Sequence, residues 1–359
     1  MTDFSNYITR IKEWLAAYDG PDISIMEVCG SHTAAISKYG ISSLLSEKLH
    51  LVSGPGCPVC VTPTAYIDRL IELALEKDTV IVTFGDLIRV PGRWKSLEDA
   101  KGEGASVEMV YSPMEILRLA KEHPEKRYIF AAVGFETTTP VYALLLQSLI
   151  DEGIENVQLL TALKVMPPVI EWLCENSERI DGFLAPGHVA AVTGADLFLP
   201  LAKQYGLPFT VAGFGAEELL IAVYHTFRAV ANKRQGKRFE EVQNCYPSVV
   251  SATGNVQAKE LVNTYFEESD ACWRGMGVIA RSGRQIRAQY ERFDAGSKVI
   301  WEDHKKNQAC RCDQILMGNC LPGDCPLYGS VCTPLHPQGA CMVSEEGSCH
   351  QYLMHQRTR

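Results

Sequence analysis

Short β-rich runs alternate with helical stretches through the first two thirds of the chain, and this alternation constrains the fold more than any other feature. The runs lie at 23–28, 49–53, 79–84, 107–111, 128–133, 157–160, 182–185 and 209–212. Helical spacing of apolar residues fills 31–45, 64–77, 113–123, 138–152, 167–177 and 216–232 between them. Repeated strand–helix alternation predicts a parallel α/β sheet with covering helices. Eight or so strands fit two smaller α/β domains at least as well as one large sheet, each wound by right-handed crossovers. Ahead of the first strand, Phe4, Tyr7, Ile8, Ile11, Trp14, Leu15 and Tyr18 recur at helical spacing until Asp19-Gly20-Pro21 stops them.

Beyond about residue 235 the texture changes. Lys233-Arg234-Gln235-Gly236-Lys237-Arg238 is a basic run, read most simply as a solvated helix end and loop. One more helix is predicted over 256–268. The last fifty residues are rich in Cys, Pro and Gly, show little periodicity, and need a staple; a metal centre is the natural candidate. Of the 13 cysteines, Cys310, Cys312, Cys320, Cys325, Cys332, Cys341 and Cys349 fall there. A 359-residue chain with 46% hydrophobic residues does not need disulfides to make up for a small core. Its cysteines are therefore expected to be metal ligands or redox groups. A net charge of −9 argues against a general nucleic-acid binder. No apolar run reaches the length of a membrane span. The polar N-terminal segment, 1–12, lacks the apolar region of a signal peptide, so a cytoplasmic protein is expected.

Polar motifs recur where the predicted strands end, the edge at which parallel α/β folds bind ligands. They are Cys29-Gly30-Ser31-His32-Thr33, Gly54-Pro55-Gly56-Cys57-Pro58-Val59-Cys60, Gly134-Phe135-Glu136-Thr137-Thr138-Thr139-Pro140, Pro186-Gly187-His188 and Gly213-Phe214-Gly215. Cys29 stands at a helix N-terminus, where free N–H groups and the helix dipole favour a thiolate. His32 is placed to hydrogen-bond it, to move protons or to ligate a metal; the plainer reading is a structural cysteine with a core histidine. Ser31 has a competing role as helix N-cap. Cys57 and Cys60 form a CxxC suited to a redox disulfide or to half of a zinc site. The loop at 134–139 resembles an anion-cradling turn, with helix capping as the plainer role of its threonines. Glu136 there is a candidate for ordering the cleft or moving protons. No GxxxxGK[ST] occurs anywhere, so a standard P-loop is excluded. Widely spaced single thiols near the C-terminus suit an iron–sulfur cluster better than zinc, which favours paired CxxC knuckles, or a disulfide framework.

Taken together these motifs resemble the HypD family, iron–sulfur scaffold proteins of [NiFe]-hydrogenase maturation. The resemblance runs nearly end to end. It rests on the motifs above and on Gly85-Asp86 with Arg89-Val90-Pro91-Gly92, Trp273-Arg274-Gly275 and Ser282-Gly283. In the tail it rests on Cys312, Cys325-Pro326-Leu327, Cys332 and Gly339-Ala340-Cys341-Met342-Val343-Ser344 with Glu346-Gly347. It implies two Rossmann-like parallel-sheet domains, placed at 22–126 and 127–235, plus a mainly helical or irregular third domain at 236–359 that houses a [4Fe-4S] cluster. The helix over 3–18 is expected to pack on that third domain. The cluster ligands would be Cys312, Cys325, Cys332 and Cys341, with Cys310, Cys320 and Cys349 as spares. Cys29 would hold Fe(II) while two cyanides and one carbon monoxide are attached, with His32 beside it and Cys57/Cys60 as the redox pair. The partners implied are the small chaperone HypC, the HypE–HypF pair as cyanide source, and the hydrogenase large subunit as recipient of the Fe(CN)2CO group. A soft thiolate suits such an iron. The layout is also similar to ferredoxin:thioredoxin reductase, which makes a cluster-dependent thiol–disulfide reductase the alternative. One departure stands out: the family follows its last strand with Gly-Phe-Glu-Pro, where this chain has Gly213-Phe214-Gly215-Ala216.

Overall fold

The computed structural model describes residues 2–177, 179–298 and 302–356. Its strands are β1 (Ile23–Glu27), β2 (Leu49–Ser53), β3 (Thr79–Thr83), β4 (Val107–Met109), β5 (Arg127–Gly134), β6 (Val157–Lys164), β7 (Gly182–Pro186), β8 (Phe209–Ala212), β9 (Val242–Asn244), β10 (Phe266–Trp273) and β11 (Gly277–Ile286). They form two sheets. The first, in the order β2-β1-β7-β8-β9, is parallel throughout. The second runs β10-β11-β6-β5-β3-β4; β3 to β6 are parallel and the β10–β11 hairpin is antiparallel. The α/β architecture with two Rossmann-like sheets is thus as expected, and all eight predicted strands are present.

The second sheet shows why these runs become strands. In β3 and β5, Val80, Val82, Phe130 and Ala132 pack into one apolar layer. The intervening Ile81, Ile129, Ala131 and Val133 pack into the opposite one. A strand buried on both faces needs apolar residues at every position, which is what helix-covered parallel sheets demand. Tyr66 and Tyr142, fully buried on opposite faces, spend their hydroxyls on the carbonyls of Leu160 (2.7 Å) and Val133 (3.0 Å).

Three expectations need correction. The sheets do not follow the division 22–126 and 127–235. After β2 the chain crosses to the second sheet for β3 to β6, returns to the first for β7 to β9, and crosses back for the hairpin. The region 236–359, whose last three residues lie outside the described ones, is not only helical and irregular, because β9, β10 and β11 belong to the sheets. These strands read poorly because β10 is a charged outer strand, its Glu268 and Asp270 exposed, and β11 contains two glycines and two arginines. Finally, the helix Thr2–Ala17 packs on the first sheet rather than on the C-terminal region. Its Ile8, Ile11 and Leu15 are buried with Leu219, Val223 and Phe227 of the helix Ala216–Arg234.

The tail has little regular structure beyond the short helix Cys312–Leu316 and the helix Ser348–Gln356. The latter packs against the helix Gly30–Lys38. The tail therefore closes over the carboxyl edge of the first sheet.

Candidate functional site

Cys29 sits immediately after β1, as the N-cap of the helix Gly30–Lys38, as the sequence predicts. The expected thiolate does not follow. Burial pushes the Cys29 thiol up to about 12, against the lowering effect of the backbone N–H groups of His32 and Ser31. Desolvation of the charged sulfur outweighs the helix terminus. The carboxylate of Glu27, two residues back and 2% exposed, is spent on the same turn. It accepts the Cys29 N–H at 3.0 Å and the Thr33 hydroxyl at 2.5 Å. Burial raises Glu27 to about 8 in spite of these donors.

The two motifs at the ends of β1 and β2 are pressed together. Gly30 N–H donates to the Gly56 carbonyl at 3.0 Å, and a Cβ at Gly56 would strike the Cys29 backbone nitrogen. Only glycine permits that approach. The turn that follows carries Cys57 and Cys60, joined as a disulfide with Cα atoms 5.2 Å apart and buried in the main core. Arg274 ties this turn to the hairpin. Its N–H donates to Val61 at 2.9 Å and its guanidinium to the Thr62 carbonyl at 2.6 Å. Trp273 beside it lies 6.0 Å from Phe135 in a stacked pair and donates its indole N–H to Ser282 at 2.8 Å.

His32 is fully buried, and burial lowers it to about 4, so the ring is neutral at physiological pH. Its Nε2 lies 3.3 Å from the Ala212 carbonyl, which assigns the proton there. Nδ1 has no hydrogen-bond partner among the described residues. Phe214 stacks on this ring at 4.7 Å and on His188 at 3.8 Å, so the two histidine motifs meet through one aromatic ring. At the altered family motif, Glu218 reaches back to accept the Gly215 N–H at 3.1 Å.

The tail contributes the remaining groups. Ser31 donates to Glu346 at 2.6 Å, and a Cβ at Gly30 would meet the Glu346 side chain. Ser344 donates to Asp86 at 3.0 Å and Arg89 to the Pro334 carbonyl at 3.3 Å, so the Gly85–Gly92 motif docks the tail. Cys312, Cys325, Cys332 and Cys341 line one apolar recess, and Cys310 and Cys349 line it too. Cys320 faces a different cavity, shared with Glu27 and Thr33. The sulfurs of Cys312 and Cys341 are 2.6 Å apart and share a hydrogen bond that holds the Cys312 thiol down; burial lifts Cys310 to about 12. Among the described residues no three His, Cys, Asp or Glu side chains are arranged around a single metal ion. The donor set instead fits an iron–sulfur group: six soft thiols ring a recess, and a Cβ at Gly339 would press on Cys310 Sγ at 3.1 Å. The Cys312–Cys341 contact has to open before both can ligate separate irons.

Glu136 lies apart from Cys29, at the carboxyl edge of the second sheet. Its Oε1 accepts the Met166 N–H at 2.8 Å at the start of the helix Met166–Asn176, and its buried Oε2 has no hydrogen-bond partner among the described residues. Burial raises it to about 7. Glu27 is a site residue that sequence reasoning passes over, although it stands as a carboxyl at the strand end two residues before Cys29. Glu346 and Arg274 stand in motifs that carry the family resemblance, but nothing in the sequence assigns them to this site.

The fold and site define a two-sheet α/β protein that gathers cysteine chemistry between one sheet edge and a thiol-lined tail. The chain belongs to the HypD family: the profile described as "HypD: Hydrogenase formation hypA family" matches residues 3–356. It is 39% identical over 345 residues to the hydrogenase maturation factor HypD of Azotobacter vinelandii, covering 93% of this chain and 90% of that protein. The HypD factors of Cupriavidus necator and Escherichia coli are also 39% identical, over 352 and 345 residues. Those alignments cover 95% and 93% of this chain, and 92% and 90% of the relatives. A general role in hydrogenase formation follows. No helix among the described residues is long and apolar enough to cross a membrane.

Proposed function

We propose that this protein is the scaffold on which the Fe(CN)2CO group of [NiFe]-hydrogenases is assembled, together with a HypC-type chaperone and a HypE-type cyanide donor fed by HypF. Iron is the cargo and Cys29 its thiol ligand. The observation that carries this reading is the contact between Cys29 and Gly56, which sets the buried thiol at the end of β1 against the Cys57–Cys60 turn. The thiol gives up its proton when it ligates iron, and the carboxylate of Glu27 holds its backbone in place meanwhile. His32 offers a lone pair at Nδ1 on a ring held by Ala212 and Phe214. Cys57 and Cys60 exchange two electrons as they pass between disulfide and dithiol.

A [4Fe-4S] cluster would be held by four of the thiols in the tail recess, Cys312, Cys325, Cys332 and Cys341 in the first instance. When bound there it supplies electrons. Arg274 joins the Cys57–Cys60 turn on one side and lines a pocket with Cys310 and Cys312 on the other, keeping the redox pair and the recess in one rigid unit.

The test is anaerobic purification with the small chaperone, iron and sulfide analysis, and infrared spectroscopy of bound cyanide and carbon monoxide. Cys29→Ala should keep the brown colour and lose the infrared bands. Bands at full strength in that variant would remove Cys29 as the iron ligand. Cys341→Ser should lose the cluster; a full complement of iron and sulfide would reassign that ligand.

A further inference from the structure

The Cys57–Cys60 turn and the thiol recess are joined by a buried cation whose charge its surroundings answer only in part. Arg274 is 6% exposed. Its guanidinium donates to the Thr62 carbonyl at 2.6 Å, while the carboxylate of Asp303 stands off at 3.8 Å. Its buried Nε–H has no hydrogen-bond partner among the described residues. Asp303 is also spent elsewhere. Its Oδ1 accepts the N–H and the hydroxyl of Thr64 at 3.1 and 3.3 Å, and its Oδ2 accepts the Gly275 N–H at 3.2 Å. A guanidinium does not shed its proton to escape burial, as a lysine can. Its charge therefore acts on whatever lies beside it.

The thiols lie beside it. Arg274 shares the wall of a cavity of about 330 Å³, mouth included, with Cys310 and Cys312. Of the other cations on that wall, Lys305 is paired with Asp313 at 2.9 Å, and Lys306 is exposed. Three cations face two carboxylates there, so the surplus is positive. The Cys312 thiol is held down first by its hydrogen bond to Cys341 and, against burial, also by the charge of Arg274. Thiolates around an iron–sulfur group carry net negative charge, and each electron the group accepts adds to it. A cation fixed nearby in a dry setting favours that added charge, whereas an exposed one is screened.

We propose that Arg274 raises the reduction potential of the group held in the tail recess by stabilising its reduced, more negative state. The inference rests on the reading of that recess as a [4Fe-4S] site. Arg274 is not a ligand and moves no proton; it acts through its charge. Its hydrogen bond to Thr62 holds that charge between the redox turn and the recess.

The experiment is a potentiometric titration of the anaerobically purified full chain with dithionite and mediator dyes, read by visible absorption and electron paramagnetic resonance. Iron and sulfide are counted first. Arg274→Gln should weaken reduction by about tenfold or more, which lowers the midpoint by about 59 mV for a one-electron couple. Arg274→Lys keeps the charge and loses the fork, and should recover most of that loss. Asp303→Asn removes the opposing charge with little change of shape, and should raise the potential. Opposite signs separate a charge effect from damage to the fold, and Asp303→Asn carries the test if Arg274→Gln holds no cluster. Wild type without iron and sulfide overturns the cluster reading and this inference with it. A full cluster in wild type whose potential is unmoved in the variants overturns the role of Arg274 alone. A shift of the same sign in Arg274→Gln and Asp303→Asn does so too.

Discussion

The carboxyl edges of the two sheets are built alike and finished differently. On the first, the tail closes over Cys29, and the polar groups near that thiol are mostly paired: Glu27 with Thr33 and the Cys29 N–H, and Ser31 with Glu346. On the second, the tail reaches the end of β3, where Ser344 donates to Asp86, while Glu136 Oε2 at the end of β5 is buried with no hydrogen-bond partner among the described residues. A closed edge keeps one reactive side chain in a fixed dry setting. An edge with unmatched buried polar groups stores a demand for a partner.

The comparison breaks most forcefully at the apolar platform beneath the second edge. Phe130 is fully buried between Phe84 and Tyr142. Phe130→Ala should cost about 3–5 kcal/mol, read by chemical denaturation. Hydrogen exchange should then speed up across β3, β5 and β6 before it does in β1 and β7. Equal loss in both sheets would mean that they unfold as one unit.

Glu136 sharpens it next. Its carboxyl is lifted from 4.5 to about 7 by burial, so the folded state binds the proton more tightly than the unfolded state. Stability at low pH is then lost as pH rises from 4.5 to about 7, a change of about 3 kcal/mol for a shift of this size. Glu136→Gln should make that slope shallower, with the part that Glu27 contributes up to about 8 remaining, and leave the protein at least as stable as wild type at pH 8. A slope unchanged in the variant would place its origin elsewhere.

The smallest effect is expected where the tail meets the first edge. Glu346→Ala removes the Ser31 hydrogen bond and should cost about 1 kcal/mol. Its signature is local: faster exchange in residues 344–350 and in the first turn of the helix Gly30–Lys38, with the sheets unchanged.

Much of this was readable beforehand, for reasons the residues supply. The eight early strands are apolar runs bounded by turns, and burial on both faces makes β3 and β5 unmistakable. Cys29 and the Cys57–Cys60 turn announce themselves by position at strand ends. The Cys29 ionisation was misread because the helix terminus is visible in sequence and the desolvation is not. Glu346 meets Ser31 across 315 positions of chain, and no local pattern carries that information. The sharing of strands between sheets escapes for the same reason: strand order is set by long-range pairing.

That interleaving governs the order in which the protein can be made. While the ribosome has delivered only the first 180 residues, the first sheet consists of β1 and β2 alone, a pair too narrow to be stable by itself. The second sheet meanwhile has its four parallel strands. The nascent chain therefore assembles the parallel core of its second sheet first, and Cys29 waits on an unfinished edge until β7 and β8 arrive beside it. No single proteolytic cut separates the two sheets.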